Sequence, residues 1–426
     1  MAHARPGFAR AVSALQHRDY RKFAASLVLT SIAAQLLQTA ILWQVYELTG
    51  SALALGLTGL ARAGPHMVLS LLGGVIADRT NRVRLIQAGQ IANGVLVLAL
   101  AALTITGAVE LWHLFVATFL NSAFTAVTQP ARTALIPRLI GGSNLVNAVA
   151  LNATIQQTSQ IIGPALGGAA LAWLDTGPTY ALNALAYVGA MLAIIGIRAD
   201  TSPVPTRDTP WSSFVEGLAF VRSRRVIVSL LVLDLGETVF GSYRALLPIF
   251  ATALGTGEIG YGLLGGAPGV GSLIGAAFIL SLGDMRYKGL YTLFGVLAYC
   301  GALALLAVSP WFWLAMVASA LLGLTNSVQM IPRNSVILTI SPDAMRGRVE
   351  AFRSMLAGGG PPLGFALSGA LAAALTAPVA LLVGAGACAV LVGVVGVTQR
   401  ELREPLLGEP PPERAPSREG VVAAGS

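Results

Sequence analysis

Long apolar runs separated by short polar breaks fill the chain from residue 23 to residue 397. A helix crosses the hydrocarbon core of a bilayer with ~20 consecutive apolar residues. A window of that length predicts twelve spans, at residues 23–46, 52–76, 85–106, 111–131, 145–174, 180–197, 226–254, 261–282, 290–308, 311–331, 352–375 and 379–397. The fifth and seventh runs exceed what a span needs and are expected to include turns at the membrane interface. The pattern predicts an all-α membrane protein.

Composition agrees with this reading. Hydrophobic residues make up 55% of the chain and charged residues 11%, whereas a soluble domain carries about 25% charged residues. The 48 Gly and 22 Pro lie largely inside the apolar runs, where membrane helices tolerate them and use small residues for close packing. The net charge of +8 does not point to nucleic acid, because the basic residues form short clusters between uncharged stretches and no compact basic domain exists. Both cysteines, Cys300 and Cys388, fall within spans, which argues against a disulfide framework. Residues 1–22 are basic and polar without a short apolar core, so no removable signal peptide is expected and the first span is expected to direct insertion.

The distribution of Lys and Arg sets a direction. All but two of the 27 lie in the termini or in or at the edge of the even-numbered loops, Arg353 being the second residue of span 11. The odd-numbered loops carry acidic residues such as Glu47, Glu110, Asp175 and Glu258. Cytoplasmic loops are enriched in Lys and Arg, so both termini are expected in the cytoplasm of a bacterial inner-membrane protein. The two exceptions, Arg62 and Arg244, lie inside spans.

Residues 198–225 are the longest internal polar stretch. They divide the chain into six-helix bundles at 23–197 and 226–398, flanked by a segment at 1–22 and a Pro-, Glu- and Arg-rich tail at 399–426 that is expected to be disordered. Within 198–225, the stretch from Trp211 to Val221 reads as a short amphipathic helix for the interface. The halves echo each other. Ala77-Asp78-Arg79-Thr80-Asn81-Arg82 follows span 2, and Gly283-Asp284-Met285-Arg286-Tyr287-Lys288 follows span 8. Gly163-Pro164-Ala165-Leu166-Gly167 in span 5 matches Gly360-Pro361-Pro362-Leu363-Gly364 in span 11. Duplicated halves place a transport site at the midplane between them.

Charges inside spans are costly and face a cavity or a partner. Asp234 and Glu237 share a face of span 7 at a spacing of three, and Arg244 follows about two turns beyond Glu237. Arg62 lies at a similar depth in span 2. A pair between Arg62 and Asp234 or Glu237 across the cavity is expected either to couple proton movement to conformation or to anchor helix packing. Arg244, nearer the outside, is expected to meet Glu47. Polar residues at Gln35 and Gln38 (span 1), Asn121 (span 4), Asn152, Gln156 and Gln160 (span 5), and Asn326 and Gln329 (span 10) form a candidate cavity lining; interhelical hydrogen bonding is the other use for such groups. Trp43 and Tyr243 are candidates to stack on an aromatic substrate, with packing as the commoner role. His66, beside Pro65, reads as hydrogen-bonded structure. Gly163, Pro164 and Gly167, with Gly360 and Pro361, are expected to bend or break their helices.

Gly74-Val-Ile-Ala-Asp78-Arg79-Thr-Asn-Arg82-Val-Arg84 resembles the loop signature of the major facilitator superfamily, Gly-x-Leu-Ala-Asp-Arg-x-Gly-Arg-Arg. Asn81 stands at the turn glycine, and Asn is the next most tolerant residue of a left-handed backbone. Ser159-x-x-x-Gly163-Pro164-x-x-Gly167-Gly168 is similar to the superfamily's antiporter signature in span 5. Gln129-Pro-Ala-Arg132-Thr-Ala-Leu-Ile-Pro137, Arg244-Ala-Leu-Leu-Pro248 and Met345-Arg346-Gly347-Arg348-Val349 resemble the subgroup of enterobactin-exporter-like and macrolide-efflux-like proteins. The resemblance implies twelve helices in two pseudo-symmetric bundles. It also implies gating by the loop residues Gly74, Asp78, Arg79, Arg82, Asp284 and Lys288, with Asp78 latching onto Arg132 and the start of span 11 near Glu350 and Arg353. Many proton-coupled relatives carry an arginine midway along span 4 followed by Gln-Gly. Here span 4 offers Asn121, Thr125, Thr128 and Gln129, with Arg132 at its inner end.

These features point to a secondary transporter with a lipid bilayer, a small-molecule substrate and protons as partners, acting as a monomer without a cofactor. Proton-driven export of small amphipathic compounds is the leading reading and import of a nutrient the alternative. A membrane enzyme or receptor is poorly supported, since no nucleotide-binding loop, metal-spaced cluster or nucleophile motif is present.

Overall fold

The computed structural model describes residues 13–140, 144–197, 210–283 and 285–405. Within them the chain forms helices α1 (Arg18–Thr49), α2 (Ala52–Arg79), α3 (Arg82–Ile105), α4 (Leu111–Ile140), α5 (Leu145–Leu174) and α6 (Thr176–Ile194) in the first half. A linker helix α7 (Pro210–Ser223) follows. The second half contains α8 (Arg225–Phe240), α9 (Leu247–Ala253), α10 (Gly257–Ser281), α11 (Lys288–Ala307), α12 (Phe312–Ile340), α13 (Asp343–Ala374) and α14 (Ala377–Thr398). No strand occurs among the described residues. Counting α8 and α9 as one broken span, each half contributes six spans, twelve in all. Nine of these segments are long and apolar enough to cross a membrane by length and composition. The other three, α2, α5 and α13, are just as long and carry Arg62, the polar stripe of 152–160 and the glycines and prolines of 358–362.

Hairpin ends are fixed by local chemistry. Gly50 closes α1 in the left-handed conformation at φ 59°, its N–H donating to the Tyr46 carbonyl at 2.7 Å. Ser51 and Asn81 then cap α2 and α3, accepting from the backbone N–H groups of Ala54 and Arg84. Asn81 is therefore a helix cap at φ −65°. The left-handed turn expected at this position of the loop signature does not form, because the helix restarts at once and its free N–H groups take the Asn side chain.

Several spans outrun their sequence limits. Helix α4 continues through Pro130 and Pro137 to Ile140, and α12 passes Pro332 to reach Ile340. Arg132 therefore lies ~12 Å inside its helix rather than at the end. The fifth run is one continuous helix, with no interfacial turn. The seventh breaks in mid-span at residues 241–246, and the Tyr299 hydroxyl donates to the freed Gly241 carbonyl at 2.9 Å. Pro164, Pro361 and Pro362 sit inside unbroken helices, so the breaks expected there are absent; their glycines serve close contact instead. The α7 helix docks on the start of α13, where Gly217 abuts Arg348 and Arg348 pairs with Glu216. The tail beyond residue 405, the Pro-rich stretch 198–209 and Asp284 lie outside the described residues.

The outward surface is rich in exposed apolar side chains such as Val95, Leu185, Phe294 and Val390, while Gln90, Asn93, Asn183 and Gln329 are buried. This inversion of the soluble pattern suits a lipid solvent. The halves meet chiefly along α2–α13 and α5–α10. Both seams are made of small residues. A Cβ on Gly56 would stand 2.9 Å from the Gly369 Cα, and one on Gly168 would stand 2.7 Å from the Gly262 Cα. These contacts lie at the end of the molecule opposite the arginine-rich loops. At the arginine-rich end, a Cβ on Gly74 or Gly347 would meet nothing within 4 Å. The halves are thus zipped at one face, and the cavity between them lies toward the other.

Two tests follow from this framework. Asp175, joining α5 to α6, has φ 67° and ψ 174°, a region that only Gly enters without strain. Asp175→Gly is expected to raise the thermal midpoint in detergent by an amount equivalent to about 1 kcal/mol; a lowered midpoint would show the carboxylate to be needed. Gly168→Leu is expected to pry open the zipped face. Spin labels at Trp173→Cys and Ile259→Cys, both exposed positions, would then report longer distances, and an unchanged distribution would rule out the glycine seam as the closure.

Candidate functional site: the central cavity

Between the halves lies a cavity in three main lobes of about 630, 420 and 220 Å³. Gln160 of α5 borders all three, and the smallest is lined by the first half alone. The largest lobe is walled mainly by the second half, including Asp234, Glu237, Tyr243, Arg244, Asn326, Arg333 and Phe365, with Thr154 and Gln157 of α5 contributing from the first half. The middle lobe is walled mainly by α1, α2 and α4, with Gln35, Gln38, Arg62, His66 and Asn121, and with Arg244 from the broken span. The smallest runs toward the arginine-rich face past Thr30, Arg132, Gln156 and Tyr187. Residue 244 reaches the cavity because the helix breaks before it.

One ion-pair network stands in the wall of the large lobe. Arg333 Nη1 lies 2.7 Å from Asp234 Oδ1, with side-chain exposures of 3% and 15%. The same Nη1 donates to Gln329 Oε1 at 2.9 Å, and Gln329 Nε2 donates to Glu237 Oε2 at 2.5 Å. Charge, amide and carboxylate thus connect α8 to α12 with both acids satisfied. The first half holds a counterpart with one difference. Arg132 lies about two turns before the end of α4, as Arg333 does in α12, and it too faces the first helix of its half. There it meets Thr30 Oγ1 at 3.5 Å, with no carboxylate in contact among the described residues.

The expected Arg62 pair with Asp234 or Glu237 does not form, since both acids are engaged by Arg333 and Gln329. Arg62 donates instead to Gln38 Oε1 at 2.7 Å. Arg244 does not meet Glu47; the break turns its side chain into the cavity. Asp78 lies 3.8 Å from Arg82 four residues on, and Arg82 donates to the Ala134 carbonyl. Arg132 bonds Thr30 and Arg353 pairs with Glu350, so the latch assembled from the loop signature is not made by these arginines in this conformation. Arg79 is exposed at the end of α2, and Lys288 opens α11.

Of the polar stripe, Gln35, Gln38, Asn121, Gln156, Gln160 and Asn326 line the cavity. Asn152 does not; it is buried and accepts from the Tyr20 hydroxyl at 3.0 Å. Gln329 is likewise buried inside the acid network. Trp43 stacks on Tyr261 at 5.6 Å as packing, whereas Tyr243 and His66 face the cavity. Gly163 and Gly167 give α1 its close approach at Gln35 and Thr39, and Gly360 does the same for Thr238.

The profile of the transmembrane secretion effector family, a branch of the major facilitator superfamily, matches residues 9–407. The chain belongs to that family. It is 26% identical over 381 residues to the enterobactin exporter EntS of Shigella boydii serotype 18, covering 89% of this chain and 91% of that protein. An Escherichia coli O139:H28 enterobactin exporter EntS is 26% identical over 379 residues, with the same coverage. Among solved structures, the nucleoside transporter NupG superposes with a TM-score of 0.71 at 14% identity, covering 89% of this chain and 98% of that one. A bacterial homologue of the lysosomal transporter Spinster, inward-facing and occupied, gives 0.70 at 13%, covering 91% and 98%. At such identities these structures establish the fold: two six-helix bundles of the major facilitator kind. The protein is a multi-pass secondary transporter.

Arg333 escaped the sequence reading because Pro332 ended the hydropathy window before it, so its charge counted as a loop charge. The signal was available in the repeat, where Arg132 and Arg333 each follow a glutamine, Gln129 at a spacing of three and Gln329 at a spacing of four.

Removing one member of the buried pair is the informative change. Arg333→Gln is expected to strand Asp234 and lower stability by about 3 kcal/mol or more, read as a lower melting temperature in detergent. Adding Asp234→Asn is expected to restore most of the loss; a double variant no better than the single would mean that the two side chains are not energetically paired.

Proposed function

We propose that this transporter exports small amphipathic compounds of the siderophore or macrolide kind from the cytoplasm by proton antiport, working as a monomer in the inner membrane. The positive-inside rule supports placing both termini and the arginine-rich loops in the cytoplasm, which makes the conformation described above inward-facing. The kinship to proteins named enterobactin exporters supports the direction and the size of the cargo.

One observation carries the coupling: Asp234 and Arg333 form an ion pair and both also border the cavity. A proton taken up by Asp234 cancels its charge and releases the guanidinium, and deprotonation restores the pair. Glu237, tied to the same arginine through Gln329, senses the change. A pair reachable from the cavity exchanges its proton with whichever side the cavity faces, so rocking of the halves converts a proton gradient into alternating access. Asp78, Arg79 and Arg82, with Arg132 and their second-half counterparts Asp284 and Lys288, act at the cytoplasmic gate. The Gly163-Pro164 and Gly360-Pro361 segments provide the small-residue surfaces on which the helices shift.

Everted vesicles with an acidic lumen provide the test. Wild type is expected to accumulate enterobactin, and Asp234→Asn to cut this pH-driven accumulation roughly tenfold while gradient-free exchange of labelled for unlabelled substrate persists. Undiminished driven transport in Asp234→Asn would remove that residue from coupling. Accumulation in the opposite sense would overturn export.

A further inference from the structure

We infer that Arg62 and Arg244, one from each half, form an anion-binding subsite in the middle lobe that selects cargo with an acidic head group and an apolar body. This deepens the export reading by naming the cargo chemistry, and it takes only the direction of movement from that reading.

Four observations converge. Both arginines line the same 420 Å³ lobe, and their charges lie within electrostatic reach of each other. Neither has a carboxylate partner among the described residues: Arg62 donates to neutral Gln38, and Arg244 forms no ion pair. A guanidinium carries five N–H donors, so most of the donors of this pair remain unspent. Asp234 and Glu237, which line the large lobe that Arg244 also borders, are taken by Arg333 and Gln329.

Two like charges facing each other at membrane depth are costly, and a bound anion removes that cost. Bidentate pairing makes arginine the side chain suited to a carboxylate or a similar planar acid. The rest of the lobe is apolar where a hydrophobic body would lie, at Leu37, Ile41 and Phe365. The first half adds no counter-charge, since Arg132 meets Thr30 where Arg333 meets Asp234. A neutral or cationic compound gains nothing from such a wall. Because the two arginines belong to different halves, an anion held between them also ties the halves together.

The test uses the full chain in phosphatidylcholine nanodiscs, so that no anionic headgroup competes. Salicylate and its uncharged amide, salicylamide, are the probes, with titration calorimetry as the readout. Wild type is expected to bind salicylate at least about tenfold more tightly than salicylamide, a difference of about 1.4 kcal/mol. Arg62→Gln and Arg244→Gln are each expected to erase that preference while leaving salicylamide binding in place, which doubles as evidence of folding. Arg62→Lys and Arg244→Lys are expected to keep most of it. Equal affinity of wild type for the two probes, no salicylate binding at millimolar concentration, or a preference untouched by both Gln variants would overturn the subsite. The vesicle experiment above reads export separately. Driven efflux without anion preference would leave export standing and sink this inference; arginine-dependent anion binding without outward transport would do the reverse.

Discussion

A charge inside a bilayer has neither water nor counter-ions to turn to, so it must find a partner or a cavity. This chain places few charges at membrane depth, and its interior is organised around what each of them finds. Arg333 finds Asp234, and that bond fixes α12 against α8. Arg132, at the matching depth of the other half, finds only a hydroxyl. Arg62 and Arg244 find the central cavity. A duplicated fold has therefore kept the arginines of both halves and given an acid to one of them. The outcome is an uneven cavity, in which Arg333 is neutralised by Asp234 while Arg62, Arg132 and Arg244 are left without an acid among the described residues.

The break in the seventh span belongs to the same logic. A continuous helix would have carried residue 244 along the bundle axis toward the acidic end of the molecule, where Glu47 lies. Interrupting it at Gly241 frees carbonyls in an apolar region, which is tolerated only because a neighbour such as the Tyr299 hydroxyl reaches in. The gain is an arginine delivered to the cavity by backbone direction, without the reach of a long side chain.

Much of this was legible in the sequence because the bilayer limits the alternatives. Twelve spans, two halves and a polar lining at Gln35, Gln38, Gln160 and Asn326 followed from hydropathy, charge and repetition. The pairings were less legible. Hydropathy marks where the hydrocarbon ends, whereas helices continue past that limit; α4 and α12 run on through prolines, which moved Arg132 and Arg333 from loops into the bundle. The choice between Arg62 and Arg333 as partner for Asp234 depends on which helices adjoin within a half, and linear spacing does not encode that. Asn81 shows the same limit locally, since a residue tolerant of a left-handed turn is also a good helix cap, and the chain used the second property.

The glycine seams bear on how the two ends of the molecule respond to their surroundings. At the zipped face, backbone lies against backbone through Gly56, Gly369, Gly168 and Gly262. Such contact is dispersion and shape, and it carries no net charge for salt or protons to act on. The opposite end is furnished with arginines and carboxylates, whose attractions weaken with ionic strength and vary with acidity. The zipped end also carries a group of acids, Glu47, Asp175 and Glu258, whose mutual repulsion salt relieves, so ionic strength steadies that end while it loosens the arginine-rich one.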